Sequence, residues 1–158
     1  MRKSNTTILL IEDDRNEVLL VQREFKETGG SYRLETVSDG IEAVRYLQGT
    51  DGYEDRAKFP LPELILLDLK MPRFSGVDFV HWLRTQSPGQ VYLIPVVVLS
   101  ASNLPADIVR AYALGVNAYM VKPANWQEFR HRLRALLAYW GEHVETPVFA
   151  PVVFSASL

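Results

Sequence analysis

Four short apolar runs in this chain each end on a polar residue: Ile8 to Ile11 at Glu12, Asp13 and Asp14, Leu64 to Leu67 at Asp68, Val96 to Leu99 at Ser100, and Tyr119 to Val121 at Lys122. Runs of this length, rich in Val, Ile and Leu and separated by helix-like segments, read as strands buried on both faces of a parallel sheet. Parallel strands share a direction, so the polar residues that end them gather at one edge, and open α/β sheets carry their sites at the carboxyl edge. Acids, a hydroxyl and an amine are thereby expected in one crevice. That set suits a divalent cation and a phosphoryl group better than it suits a core.

Five amphipathic segments follow or separate these runs, with apolar residues at helical spacing. The first, about 15–28, carries Val18, Val21 and Phe25 and is expected to close at Gly29 and Gly30. The second, about 40–48, shows Ile41, Val44 and Leu47 before Gly49. A third begins near Ser75, with Asp78 three residues on, and presents Val77, Val80 and Leu83. The fourth opens with Asn103 and Pro105 and runs through Ile108 and Tyr112 to Gly115. The last starts at Asn125-Trp126-Gln127-Glu128, a capping-box pattern, and carries Phe129, Leu133, Leu136, Leu137 and Trp140. With a weaker strand at about 32–37, the alternation is five βα units, which implies a doubly wound α/β fold with right-handed crossovers. Residues 50–62 read as a surface loop. Beyond Gly141, two prolines exclude a helix, while Val148, Phe149, Val152, Val153 and Phe154 form an apolar patch that needs a covering surface.

Bulk properties narrow the function. A length of 158 residues suits one well-buried core. The 17 basic and 19 acidic residues leave a net charge of -2, with no basic field for nucleic acid, so no nucleic-acid partner is expected. Cysteine is absent, which excludes disulfides and zinc–thiolate sites. The apolar start falls short of the ~7–15 residues of a signal-peptide core, and no run approaches the ~18 residues of a membrane helix. A cytoplasmic protein without a membrane partner is the expectation.

The segments LLIEDD, LLDLKMP followed by SG, VVLSAS and NAYMVKP stand in this order. Over about residues 6 to 141 the chain thereby resembles the receiver domain of two-component response regulators. The resemblance implies a flavodoxin-like fold, a five-stranded parallel sheet of order 2-1-3-4-5 with five helices. It assigns 1–141 to the receiver domain and 142–158 to an apolar tail. It makes Glu12 and Asp13 the acidic pair, Asp68 the phosphoacceptor, Ser100 the switch hydroxyl, Tyr119 the switch aromatic and Lys122 the lysine before proline. It also implies a cis Lys122–Pro123 bond that aims the ammonium at Asp68.

The residue types support those roles chemically. Mg²⁺ is a hard ion held by one or two carboxylates, water and substrate phosphate. Asp13 and Asp68 can supply carboxylates directly, Glu12 through water, and the Lys70 carbonyl another oxygen. Asp68 is then the nucleophile, forming an acyl phosphate, while Lys122 and Ser100 pair with phosphoryl oxygens. Each residue also has a plainer reading: a turn acid, a helix cap (the expected role of Asp14), a turn hydroxyl, a solvated lysine. Taken together these plain readings fail, because uncompensated acids crowded at one edge repel each other. Lys70 and Ser102 occupy places that in receivers tune attack by water, and a cation at 70 predicts slow self-dephosphorylation.

Little chain follows Gly141, so output is expected through protein binding. The long 50–62 loop and the fourth strand look like the single-domain regulators of cyanobacterial and bacterial phytochrome histidine kinases. A phosphohistidine would be the donor, docking on the first helix beside Asn16, Leu20 and Arg23. Aromatics favour interfaces, so a homodimer is expected through the fourth helix, fifth strand and fifth helix, using Tyr112, Trp126, Tyr139, Trp140 and Phe149. Such a protein is no turnover enzyme; it catalyses only its own phosphorylation and dephosphorylation. Two other classes remain: an interaction module of receiver shape that is never phosphorylated, and a metal-dependent phosphohydrolase with an aspartyl nucleophile. Lys70 counts against the second, because the haloacid-dehalogenase pattern wants an aspartate there.

Overall fold

The computed structural model describes residues 5–28, 32–147 and 149. The four apolar runs and the weaker strand become β1 (Thr6–Ile11), β2 (Tyr32–Val37), β3 (Leu64–Leu67), β4 (Val96–Ser100) and β5 (Ala118–Val121). They pair in parallel in the order β2-β1-β3-β4-β5, the order expected. Between them run α1 (Arg15–Glu27), α2 (Gly40–Gln48), α3 (Gly76–Thr85), α4 (Pro105–Leu114) and α5 (Trp126–Ala138).

Side chains alternate across a strand, and this splits the core in two. Leu9, Ile11, Ile65, Leu67, Val96 and Val98 pack with Tyr46 of α2, Phe79 of α3 and Ala111 of α4. Ile8, Leu10, Leu64, Leu66, Val97 and Leu99 face the other way, onto Val21 and Phe25 of α1 and Phe129, Leu133 and Leu137 of α5. Each such buried Val, Leu, Ile or Phe side chain contributes roughly 1.5–3 kcal/mol relative to exposure. Among the described residues, helices thus cover both faces of the sheet.

Local sequence fixes most boundaries. Asp14 caps α1, accepting from the amides of Asn16 at 2.9 Å and Glu17 at 3.4 Å. Ser75 and Asp78 close a reciprocal capping box on α3. At α5 only half of the expected box forms: Asn125 accepts from the Glu128 amide at 3.2 Å, but the Glu128 carboxylate turns to Arg132 one turn ahead. Asn103 does not cap α4; Leu104 stands at that position, with Pro105 opening the first turn. Gly115 ends α4 at φ 102°, a left-handed conformation that L side chains resist. Gly29 and Gly30 lie outside the described residues.

The 50–62 segment is more structured than a solvated loop. Arg56 donates to the carbonyls of Tyr46 at 2.7 Å and Leu47 at 2.8 Å, covering the C-terminus of α2. Rings of Tyr46, Tyr53 and Phe59 cluster, the Tyr46 hydroxyl donates to Pro60 O at 2.8 Å, and the Tyr53 hydroxyl donates to Glu42 at 2.6 Å.

The expected interface residues divide. Tyr112 and Tyr139 are exposed, at 50% and 59%. Trp126 and Trp140 instead pack against the α1–α5 core, and Phe149 against the α2–α4 core of its own chain. The tail therefore finds at least part of its covering surface internally: α5 passes into a wider turn, Tyr139–His143, and Thr146 then donates to Glu63 at 3.0 Å. Val148, Val152, Val153 and Phe154 lie outside the described residues. On α1, Asn16 and Arg23 are exposed as expected, but Leu20 is half-buried and Leu19 carries the exposed apolar surface instead. No helix among the described residues is long and apolar enough to cross a membrane.

Candidate functional site

The ends of β1, β3, β4 and β5 do meet. Carboxylate oxygens of Glu12, Asp13 and Asp68 all lie within 4.8 Å of one another. Glu12 is only 4% exposed, and its Oε1 accepts from the Asp14 amide at 3.0 Å. Asp68 accepts from the Lys70 amide at 3.0 Å, which folds the chain back after β3. Gly76 permits that fold, since a Cβ there would stand 2.7 Å from Leu69 Cα and 2.8 Å from the Asp68 carbonyl.

Lys122 projects into this cluster from the end of β5. Its Nζ donates to Glu12 Oε2 at 3.0 Å and to Glu17 Oε2, and stands 3.8 Å from Asp68 Oδ2. The structure thus corrects one expectation and refines another. No cis peptide bond occurs among the described residues, so Lys122–Pro123 is trans. The ammonium points inward regardless, because β5 stays in register with β4, with the Lys122 amide donating to Ser100 O at 2.7 Å, while carboxylates on β1 and α1 draw the charge. Its hydrogen-bond partners are Glu12 and Glu17, with Asp68 beyond hydrogen-bond reach.

Electrostatics follow from crowding. Burial pushes the Glu12 carboxyl up to about 8, against the pull of the Asp14 amide and Lys122. Burial also raises Asp68, opposed by Lys122 and the Lys70 amide. Burial alone would lower the Lys122 ammonium, but Glu17, Asp68 and Glu12 together hold it above its usual value. Several acids thus share one cation. A hard divalent ion with oxygen preference fits this donor set, since it compensates the charge that Lys122 leaves over.

Ser102 ties the site to the helix beside it. Its amide donates to Ser100 Oγ at 3.2 Å, its carbonyl accepts from the Tyr119 hydroxyl at 2.9 Å, and its own hydroxyl donates to Asp107 on α4. Ser100 itself is buried. A cavity of about 190 Å³, lined by Leu69, Lys70, Val77, Ser100, Asp107 and Tyr119, opens next to it. Glu17 and Asp107 escaped sequence reading. Glu17 looked like an ordinary first-turn acid favoured by the helix dipole, and Asp107 like a polar residue on a helix face.

Comparison with known proteins agrees with this geometry. The model of the response regulator receiver domain matches residues 8–134. Response regulator Rcp1 of a Synechocystis strain is 34% identical over 140 residues, 89% of this chain and 92% of Rcp1. Its Mn²⁺-bound crystal structure superposes with a TM-score of 0.80, covering 90% of this chain and 99% of Rcp1. The phosphorylated cyanobacterial phytochrome response regulator RcpA is 32% identical with a TM-score of 0.83, over 92% of this chain and all of RcpA. RPA3017, a response regulator in red light signalling of R. palustris, is 35% identical with a TM-score of 0.83, over 90% and 99% of the two chains. A sheet of the same order, four motifs at its carboxyl edge and these likenesses lead to one assignment: the chain belongs to the response regulator receiver family, and within it is similar to the phytochrome response regulators.

Proposed function

We propose that Asp68 accepts a phosphoryl group from a phosphohistidine of a histidine kinase, phytochrome-like in kind, in a Mg²⁺-dependent reaction. The observation that carries this reading is the convergence of Glu12, Asp13 and Asp68 within 4.8 Å, with the Lys122 ammonium among them. An Asp68 oxygen forms the new P–O bond as the P–N bond to the donor imidazole breaks, and the imidazole leaves. Asp13 and Asp68, the Lys70 carbonyl and, through water, Glu12 would hold Mg²⁺, which when bound neutralises the phosphoryl oxygens. Lys122 donates to one phosphoryl oxygen and Ser100 to another. Drawing Ser100 toward the phosphoryl group loosens its bond from the Ser102 amide, and Ser102 passes the change to Tyr119 and, through Asp107, to α4. That is how a local charge event reaches a surface.

Output through binding follows from the same surface. The reading includes residues 1–141 as the signalling unit, a cytoplasmic setting, and a homodimer in which exposed Tyr112 and Val109 on α4, Leu104 at its cap and Tyr139 after α5 meet a second copy. Acetyl phosphate with Mg²⁺ tests the chemistry. Mass spectrometry should find one phosphoryl adduct on the wild type and none on Asp68→Asn; equal labelling of the two overturns the assignment, continuous release of phosphate favours a hydrolase, and no labelling of either favours an unphosphorylated interaction module. Sedimentation before and after labelling tests the dimer, which a monomer under both conditions would remove.

A further inference from the structure

Lys122 is the only cation whose ammonium is bonded within the acidic cluster among the described residues, and its three donor hydrogens are unequally spent. One bonds Glu12, one bonds Glu17, and Asp68 stands at 3.8 Å. These partners differ in what holds them. Glu12 and Asp68 end strands of the sheet, and each accepts a backbone amide, from Asp14 and Lys70. Glu17 belongs to the first turn of α1, which Asp14 caps through the amides of Asn16 and Glu17. Its side chain is more than a third exposed, so it grips the ammonium from the solvent side while the acceptor lies inward.

We propose that Glu17 is a positioning residue that restrains Lys122, holding the ammonium off Asp68 in the resting protein and releasing it when a phosphoryl group arrives. The inference rests on Asp68 being the acceptor. An ammonium shared with Glu17 is stabilised before transfer, whereas catalysis gains only from contacts that are stronger in the transition state than before it. Glu17 therefore slows phosphorylation, and α1 sets how readily the lysine moves. Because the restraining carboxylate sits on a helix surface, a partner that engages α1 can lift it and so couple docking to acceptance of the phosphoryl group.

The test compares wild type, Glu17→Gln and Glu17→Asp with acetyl phosphate and Mg²⁺, alongside metal-free crystal structures of the three. Glutamine removes the charge; aspartate keeps the charge and the helix-dipole preference but withdraws it by one methylene. Both variants should be phosphorylated about fivefold faster, the factor associated with an ion pair of partial exposure, and in both the Lys122 ammonium should close onto Asp68 from 3.8 Å to hydrogen-bond distance. A faster rate for glutamine alone means net charge and not reach is responsible, and overturns the restraint. Lys122 unmoved in both structures also overturns it. If the wild type is labelled and both variants match its rate, this inference alone falls; a wild type that takes up no phosphoryl group removes the acceptor reading and this inference together.

Discussion

Two buried glutamates, one at each end of α1's surroundings, sit in ionic clusters of opposite character. Glu24, 1% exposed, lies between α1 and α5 and accepts from Arg130 at 2.8 Å and from Arg134, with Glu27 bonded to the same two arginines. Two acids face three bases there, since Arg23 also stands 3.8 Å from Glu27. At the carboxyl edge, Glu12, Glu17 and Asp68 surround Lys122 while Asp13 lies beside Glu12 and Asp68, four acids with one base. Burial pushes Glu24 up as it does Glu12, but Arg134 and Arg130 bring it below its usual value, whereas Glu12 ends at about 8. A cluster whose acids are all matched by bases is complete and fastens two helices; one with acids left over is stabilised by a further cation. Burial alone does not mark a working site. The charge left uncompensated does.

The largest expected effect separates the two glutamates by sign. Glu24→Gln should destabilise the protein by about 2 kcal/mol in urea denaturation, less than the 3–5 kcal/mol of a fully buried broken pair, because both guanidinium groups reach solvent and retain Glu27. Glu12→Gln should leave the metal-free protein at pH 8 unchanged or more stable by up to about 1 kcal/mol, since it removes a charge that its surroundings disfavour. Equal losses at the two positions would erase the distinction between a fastening and a site.

The contrast also explains what sequence reading could reach. β1, β3 and β4 are covered on both faces, so each carries an apolar run that ends sharply at a polar residue of the carboxyl edge. β2 and β5 are edge strands, half-buried along most of their length, and the polar residues in β2, Arg33, Glu35 and Thr36, make its signal the weaker. Glu12, Asp13, Asp68, Ser100 and Lys122 were legible because strand direction alone brings strand ends together. Glu17 was not, because its role depends on being reached by Lys122, 105 positions away in the chain. The α1–α5 cluster was equally hidden: Arg130, His131, Arg132 and Arg134 look like a solvated helix face, and Glu24 is more than a hundred positions away in the chain. Phe149 and the tryptophans read as interface residues because exposure, unlike periodicity, is settled only by where the chain turns back. The half-formed box at Asn125 has the same origin, since an arginine one turn ahead outcompetes the backbone for Glu128.

Titration should resolve the clusters next. Glu12 has a folded value of about 8 against 4.5 for an ordinary glutamate, so its contribution to stability is full below 4.5 and is lost as pH rises through about 8. Glu24 is shifted the other way, so its contribution is present above 4.5 and is lost as pH falls through its lowered folded value. The metal-free protein should therefore lose melting temperature between about pH 5 and pH 9. Saturating Mg²⁺ should flatten that limb, because the ion replaces the proton, and Glu12→Gln should flatten it without metal. The acid limb should respond to Glu24→Gln and not to Mg²⁺. An alkaline limb insensitive to both Mg²⁺ and Glu12→Gln would show that the edge is no less balanced than the helix pair.

The smallest effect concerns Lys70, two residues beyond Asp68 in the chain. The side chain is exposed, on the loop whose amide holds Asp68, and it lines the cavity beside Ser100. An ammonium reaching from there to a phosphoryl oxygen would impede in-line attack by water and add one more base to a site that phosphorylation makes more acidic. Its exposure limits the gain to that of a surface pair. Lys70→Ala should accordingly shorten the acyl-phosphate half-life by about twofold to fivefold, with folding stability unchanged. High salt should shorten the wild-type half-life toward that of the variant, because exposed pairs are screened while the Lys122 cluster is not. A half-life indifferent to both salt and the substitution would place Lys70 outside the electrostatics of the site and leave Lys122 as the cation that answers the phosphoryl charge.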